Sequence, residues 1–334
     1  MDTLFETIKA NRIIKNPDIK DASVKMYCTN IIKLSKMMNI ENYQENADWL
    51  SDLNLVKDKL KESGLHHSSI RNYINSCMIF MSCFDGNEKL LLDYTEYRDE
   101  LSQIYEEEQA SGIWTEKQGK NAISMDDLHK IILEIGKEIK TQKLKEKSKF
   151  KGLTSIERSL LQLYMILNVH VVFPFRNDLA GMKIIKLQQY KALTDEQRKS
   201  NNFLVKEKSK MSFHLNQYKT SKLYAEKVID LPTELRASMR FYLAVVNPTN
   251  YLLEQNNGDQ MTKNSLSQLL TKSFKRRTGK SVSTTLIRKI YMSEKYGSMK
   301  EALEEDNSNM MHSAGVALKI YVKKSDPEGP SQDV

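Results

Sequence analysis

The spacing of apolar residues changes once along this chain, at Pro174, and that change limits the folds open to it. Before Pro174 the apolar positions step by three and four, as on one face of a helix. Over Ser23–Met38 they are Val24, Tyr27, Ile31, Leu34 and Met38, and over Ser68–Phe84 they are Ile70, Tyr73, Ile74, Cys77, Met78 and Met81. Asn46–Ser63 and Leu90–Gln109 extend the pattern, so residues 1–110 are expected to form a four-helix module. Its Met and Cys residues read as core filling. His66 and His67 fall in a loop after Gly64 and take no role. Two glycines and a polar run over 111–122 predict a linker. Ser124-Met-Asp-Asp127 reads as a helix N-cap with acids in its first turn, followed by a helix to about Ile139. A Lys-rich connection, Lys140–Lys151, leads to an apolar helix over Thr154–Asn168.

After Pro174 come four short runs with β-type alternation: Met182–Gln189, Phe203–Lys206, Met211–Leu215 and Ala225–Leu231. They predict a small antiparallel β-sheet, with the charged stretch Tyr190–Asn202 as a surface insertion between its strands. Helical patterns then return. Pro232 opens one at its first position and carries it to Val246. Others cover Thr262–Arg276, Ser283–Tyr296 and Asn307–Lys319, and residues 325–334 read as a flexible tail. The expected fold class is mainly α with a small antiparallel β-sheet, that is α+β. The domains would be 1–110, a linker at 111–122, a second domain over 123–324, and the tail.

Charge is uneven. Residues 1–122 hold 15 Lys and Arg against 20 Asp and Glu, whereas residues 123–334 hold 36 against 23. A solvated surface would explain this, but a polyanion-binding face in the second part explains the asymmetry better. No run approaches the roughly 18 apolar residues of a membrane span, and the start Met-Asp-Thr-Leu-Phe-Glu does not read as a secretory signal. Three cysteines without a Cys-x-x-Cys pair predict free thiols in a reducing compartment, not a disulfide or metal framework.

Several residues in the second part carry chemistry. Arg176, in Phe173-Pro-Phe-Arg176-Asn-Asp178, follows a buried helix; its plain alternative is a salt bridge to Asp178. Lys219 and Lys222 lie in Tyr218-Lys-Thr-Ser-Lys222 between two predicted strands, where a hairpin tip can deliver an ammonium as a general acid. Thr285 and Arg288 stand three apart on one helical face, and the Arg fork suits phosphate oxygens. His312 and Tyr321 follow, nine residues apart. Singly, the histidine reads as a core or cap residue and the tyrosine as packing. Jointly, they are the parts of a nucleophilic attack on a phosphodiester.

In that order these segments resemble the tyrosine recombinases of the phage-integrase superfamily. The resemblance covers nearly the whole second part. It matches a first Arg at Arg176, a hairpin Lys at Lys219 (alternatively Lys222), His-x-x-Arg at Thr285-Leu-Ile-Arg288, and a last box at His312 and Tyr321. The departure is Thr285, which stands where His is usual. Thr can donate a hydrogen bond to phosphate but cannot shuttle a proton near neutral pH. Over residues 1–110 the resemblance is architectural, to a helical core-binding domain that clamps DNA.

The resemblance implies a site-specific recombinase or integrase that cleaves and rejoins DNA. Tyr321 would form a 3′-phosphotyrosine, Arg176 and Arg288 would neutralise the non-bridging oxygens, His312 would add a hydrogen bond, and the hairpin lysine would protonate the leaving 5′-oxygen. No cofactor and no metal are implied. The partners are double-stranded DNA and three further copies in a homotetramer on paired sites. The location is intracellular, wherever the target DNA resides: cytoplasm, nucleoid or a host nucleus. A lean toward Lys, Asn, Ile and Met fits a virus or mobile element with an A/T-rich genome. Helix faces nominate Lys25, Arg71 and Asn72 in the first domain, and Lys289 beside Arg288, for contact with DNA. Two rivals remain: a type IB topoisomerase of similar chemistry, and a non-catalytic DNA-binding protein retaining the fold.

Overall fold

The computed structural model describes residues 2–218 and 226–309. The chain divides into two compact units, Met1–Trp114 and Thr115–Val334. The architecture is α+β, mostly helical with one small four-stranded sheet.

Among the described residues the first unit holds five α-helices where four were expected: α1 (Asp2–Lys15), α2 (Asp21–Met37), α3 (Leu53–Glu62), α4 (His67–Met81) and α5 (Glu88–Ala110). The additional helix is α1, which buries Leu4 and Ile8 one turn apart. The stretch Asn46–Ser63 is not one helix. A single 3-10 turn, Asp48–Leu50, precedes α3, and Asp52 restarts the helix by accepting from Leu55 N–H. The core of the unit holds Val24, Ile31 and Leu34 of α2 and Ile74 and Cys77 of α4 from the face the apolar spacing picked out, joined by Cys28 and Phe80, while Tyr27, Met38 and Met78 are only partly buried. His66 has a structural task after all. As the N-cap of α4, its Nδ1 accepts from Ser68 N–H. All three cysteines are free thiols, and Cys28 and Cys77 are buried.

The second unit opens inside the expected linker, where a capping box of Thr115 and Gln118 starts the short helix α6 (Glu116–Asn121). Capping boxes also start α7 (Met125–Thr141), with Ser124 and Asp127, and α9 (Ser155–Val172), with Thr154 and Glu157. Between them lies α8 (Leu144–Phe150). Helix α9 is the spine of the unit. It buries Leu161, Ile166, Leu167 and Val169, which lie around the whole helix, and it packs against α7. On other sides it meets α12 (Thr233–Val246), α13 (Lys263–Thr278) and α14 (Thr284–Asn309).

The sheet runs β1 (Lys183–Lys186), β2 (Phe203–Lys206), β3 (Met211–Leu215) and β4 (Lys227–Asp230), in that order. It is mixed, which corrects the antiparallel expectation: β1 pairs with β2 in parallel, and the other two pairs are antiparallel. Parallel neighbours need a long crossover. Residues 187–202 supply it with α10 (Leu187–Lys191) and α11 (Asp195–Lys199). That stretch is therefore not merely a surface insertion, for Tyr190 is buried against Phe203 and Val205.

Other boundaries differ from expectation as well: the strand expected over Met182–Gln189 ends at Lys186, and Leu187 opens α10. Pro232 is the N-cap of α12 instead of its first residue. The pattern from Ser283 does not stop at Tyr296: α14 continues through Gly297 to Asn309, because Met299, Lys300, Glu301, Ala302 and Leu303, which fill the expected break, are good helix formers. The predicted helix over Asn307–Lys319 otherwise lies outside the described residues, as does the tail 325–334. Among the described residues no helix is long and apolar enough to cross a membrane.

Candidate active site

Helix α9 ends at Val172, and the chain turns over Phe173-Pro174-Phe175 into the loop carrying Arg176. Aromatic packing fixes this turn to the sheet. The Phe173 and Phe175 rings stack 5.8 Å apart, and both meet Phe213 of β3 edge-on, at 6.5 and 5.7 Å. The loop closes at Gly181, whose φ of 74° an L side chain rarely adopts, and a Cβ there would meet Gln260 Oε1 at 2.9 Å.

Arg288 arrives from another part of the chain. Ser283 caps α14 by accepting from Leu286 N–H at 3.2 Å, which places Arg288 just over one turn into the helix. Arg176 and Arg288 line one hollow of about 210 Å³. Lys227 of β4, Tyr218 and Asp178 also line it, and Phe175, Leu215 and Ile229 give it apolar walls. Among the described residues, three cations thus share it with one carboxyl.

The electrostatics show the strain of that arrangement. Burial, and then the neighbouring Arg176 charge, lower the Arg288 pKa from its usual value, with Asp178 opposing. Asp178 is itself buried, which raises its pKa despite the pull of Lys263 and of Arg176 and Arg288. Beneath the loop, fully buried His170 donates from Nδ1 to Ile166 O at 2.8 Å, and burial lowers its pKa so that the ring is neutral at pH 7. The ring also lies against the Phe175 and Arg176 backbone, although Nε2 meets no partner there in good hydrogen-bond geometry among the described residues.

The strands below the hollow are tied by a polar cluster. Glu226 receives Tyr190 Oη–H and lies 2.8 Å from His214 Nδ1. Although burial pushes the Glu226 pKa up, these two partners outweigh it and leave the value lowered.

The other nominated residues are placed as follows. Thr285 is exposed on the first turn of α14 and is not among the described lining residues. Lys289 is half-buried beside Arg288. In the first unit Lys25 and Asn72 are exposed on α2 and α4, while Arg71 lies over the Tyr105 ring, 4.8 Å from its centre. Lys219, Lys222, His312 and Tyr321 lie outside the described residues. Two lining residues escaped the sequence reading. Lys227 looks like any solvated strand lysine, and Tyr218 like a plain flank of Lys219.

A larger groove of about 690 Å³ lies between α7, α9 and α13. Its Arg277 is paired with Glu138 at 2.6 Å, so it offers less unmatched charge than the small hollow. Among the described residues no group of His, Cys, Asp and Glu is arranged to hold a metal ion.

No protein-family model matches the chain, and no curated protein does. Among solved structures it is similar to the crystal structure of XerA recombinase, at 11% identity and a TM-score of 0.31, over 96% of this chain and 94% of that one. A superposition at that score assigns neither fold nor activity.

Proposed function

We propose that the chain is a tyrosine recombinase, which breaks and rejoins DNA strands through a covalent 3′-phosphotyrosine. The observation that carries this reading is the meeting of Arg176 and Arg288 at one hollow with Lys227. Two guanidinium forks at one small hollow suit the non-bridging oxygens of a single phosphodiester, and fixed cations there stabilise charge that grows in the transition state. The chain between Tyr218 and Lys227, both at the hollow, contains Lys219 and Lys222.

In the proposed reaction Tyr321 gives its phenol proton to solvent, its oxygen attacks phosphorus and the P–O5′ bond breaks. The departing 5′-oxygen takes a proton from Lys219, or from Lys222 in its place. Arg176 and Arg288 hold the non-bridging oxygens, and His312 donates to one of them. Attack by a 5′-hydroxyl of a partner strand on the phosphotyrosine then restores the diester and frees the tyrosine, so the bond energy is stored and no high-energy cofactor is consumed. Thr285, lacking a titratable ring, contributes a hydrogen bond at most. Double-stranded DNA is the substrate, and a homotetramer on paired sites is the proposed assembly.

The test is covalent capture. Wild-type protein incubated with a nicked duplex bearing its cognate site should give a DNA–protein adduct that survives denaturation. Tyr321→Phe should bind the same duplex with similar affinity and give no adduct. Cleavage by that variant would remove Tyr321 from the role.

A further inference from the structure

Two like charges at one hollow push apart, so something must hold Arg176 and Arg288 in place before any anion arrives. They belong to different segments, the loop after α9 and the first turns of α14. The residue next to Arg176 supplies the connection. Asn177 Nδ2 donates to Ser267 Oγ at 2.9 Å and to Lys263 O at 3.3 Å, both on α13. Its Oδ1 accepts from Thr284 Oγ1 at 2.9 Å. Thr284 is buried, at 4% exposure, and stands four residues before Arg288 on the same helix.

The direction of these bonds follows from chemistry. A backbone carbonyl only accepts, so the Asn177 amide must turn its NH2 toward Lys263 O. That turns the amide oxygen toward Thr284 and makes the threonine hydroxyl the donor. One amide thereby joins the Arg176 loop to two helix starts, one of which carries Arg288.

We propose that Asn177 and Thr284 are positioning residues, a latch that sets the separation of Arg176 and Arg288 to fit one phosphate group. The latch deepens the recombinase reading, since it assumes that this hollow receives the scissile phosphate. It acts through the arginines and touches no reacting atom. Thr284, which the spacing argument passed over, is the threonine with a structural partner, whereas Thr285 one residue on faces solvent.

The test uses the full chain with inorganic phosphate as probe, read by ³¹P line broadening, and Arg176→Gln to show that the broadening comes from this hollow. Thr284→Val keeps the shape and removes the donor; it should weaken phosphate binding about tenfold while the protein still unfolds cooperatively. Thr284→Ser keeps the donor and should bind within about twofold of wild type. Asn177→Ala with Thr284→Val should bind no more weakly than Asn177→Ala alone, because the two act as one unit. With cognate duplex, Thr284→Val should slow adduct formation at saturating DNA and leave duplex affinity nearly unchanged, a split that general loosening of the fold would not produce. The latch is overturned if folded Thr284→Val binds phosphate like wild type, or if wild type shows no Arg176-dependent broadening. Latch-dependent phosphate binding without any adduct from wild type would instead sink the recombinase reading and leave the latch standing.

Discussion

A guanidinium placed beside another is destabilising until an anion arrives between them, and Arg288 shows this in a pKa lowered by burial and by Arg176. The buried Asp178 relieves some of that repulsion, but among the described residues one carboxyl faces three cations at the hollow. The proposal therefore makes shape, as well as charge, matter at Arg288. Arg288→Lys keeps the charge and loses the planar fork. It should slow adduct formation by about a hundredfold, the scale of one lost oxyanion donor, with duplex affinity changed by less than about threefold. Thr285→Ala, which removes a single neutral donor, should slow it by less than about tenfold. Comparing the two rates in one capture assay checks both, and an equal effect would mean that Thr285 has a larger role. Arg176 and Arg288 were legible in the sequence because segment order and spacing mark them. Asn177 and Thr284 were not, because helical spacing cannot tell which of two adjacent threonines turns inward. Lys227 carried no signal at all.

At the scale of elements, local chemistry predicted what local chemistry controls. Strands β2 and β3 span the predicted residues because their alternation is bounded by polar turns, and Ser124 caps α7 as its sequence implies. The parallel pairing of β1 with β2 was not legible, since it depends on a crossover whose short helices and inward-facing Tyr190 are set by tertiary packing. The capping box of α9 matters most for the site, because α9 leads straight into the Arg176 loop. Glu157 closes that box and meets Lys147. The Lys147 ammonium, followed by the Thr154 N–H, holds the Glu157 carboxyl at about 2, against an ordinary 4.5. A carboxyl whose pKa falls on folding stabilises the fold above its unfolded value, and that contribution is lost as pH drops through the folded value. Glu157→Gln keeps the capping box and loses only the charge that meets Lys147, so it should destabilise the protein at pH 7 by at most about 1 kcal/mol, the upper end for a solvent-accessible ion pair. The gap between variant and wild type should narrow as pH falls from about 4.5 toward about 2. Thermal unfolding at several pH values in that window decides it, and a gap that stays constant would show that the charge of Glu157 contributes nothing.

For the whole molecule, the informative quantity is the contrast between an acidic N-terminal stretch and a basic remainder. Protein cations that replace condensed counterions on DNA make affinity fall with salt, by a slope of about 0.9 for each phosphate neutralised. If the chain grips a duplex through its basic part alone, removing a cation from the first unit changes nothing. If both units hold DNA, the few exposed cations of the first unit must count despite the acids around them. The helical clamp that the resemblance implies is the second case. Lys25, exposed on α2, should then contribute one phosphate contact, and Lys25→Gln should reduce the slope of log affinity against log salt by about one. Lys289→Gln in the second unit should do the same. Glu106→Gln and Glu107→Gln, at the acidic end of α5, should leave the slope as it is, because they neutralise no phosphate. Anisotropy titrations of the full chain with a fluorescent duplex between about 50 and 200 mM salt give all four slopes. An unchanged slope for Lys25→Gln, beside a reduced one for Lys289→Gln, would confine the grip to the basic unit and leave the five helices of the first unit needing a different purpose.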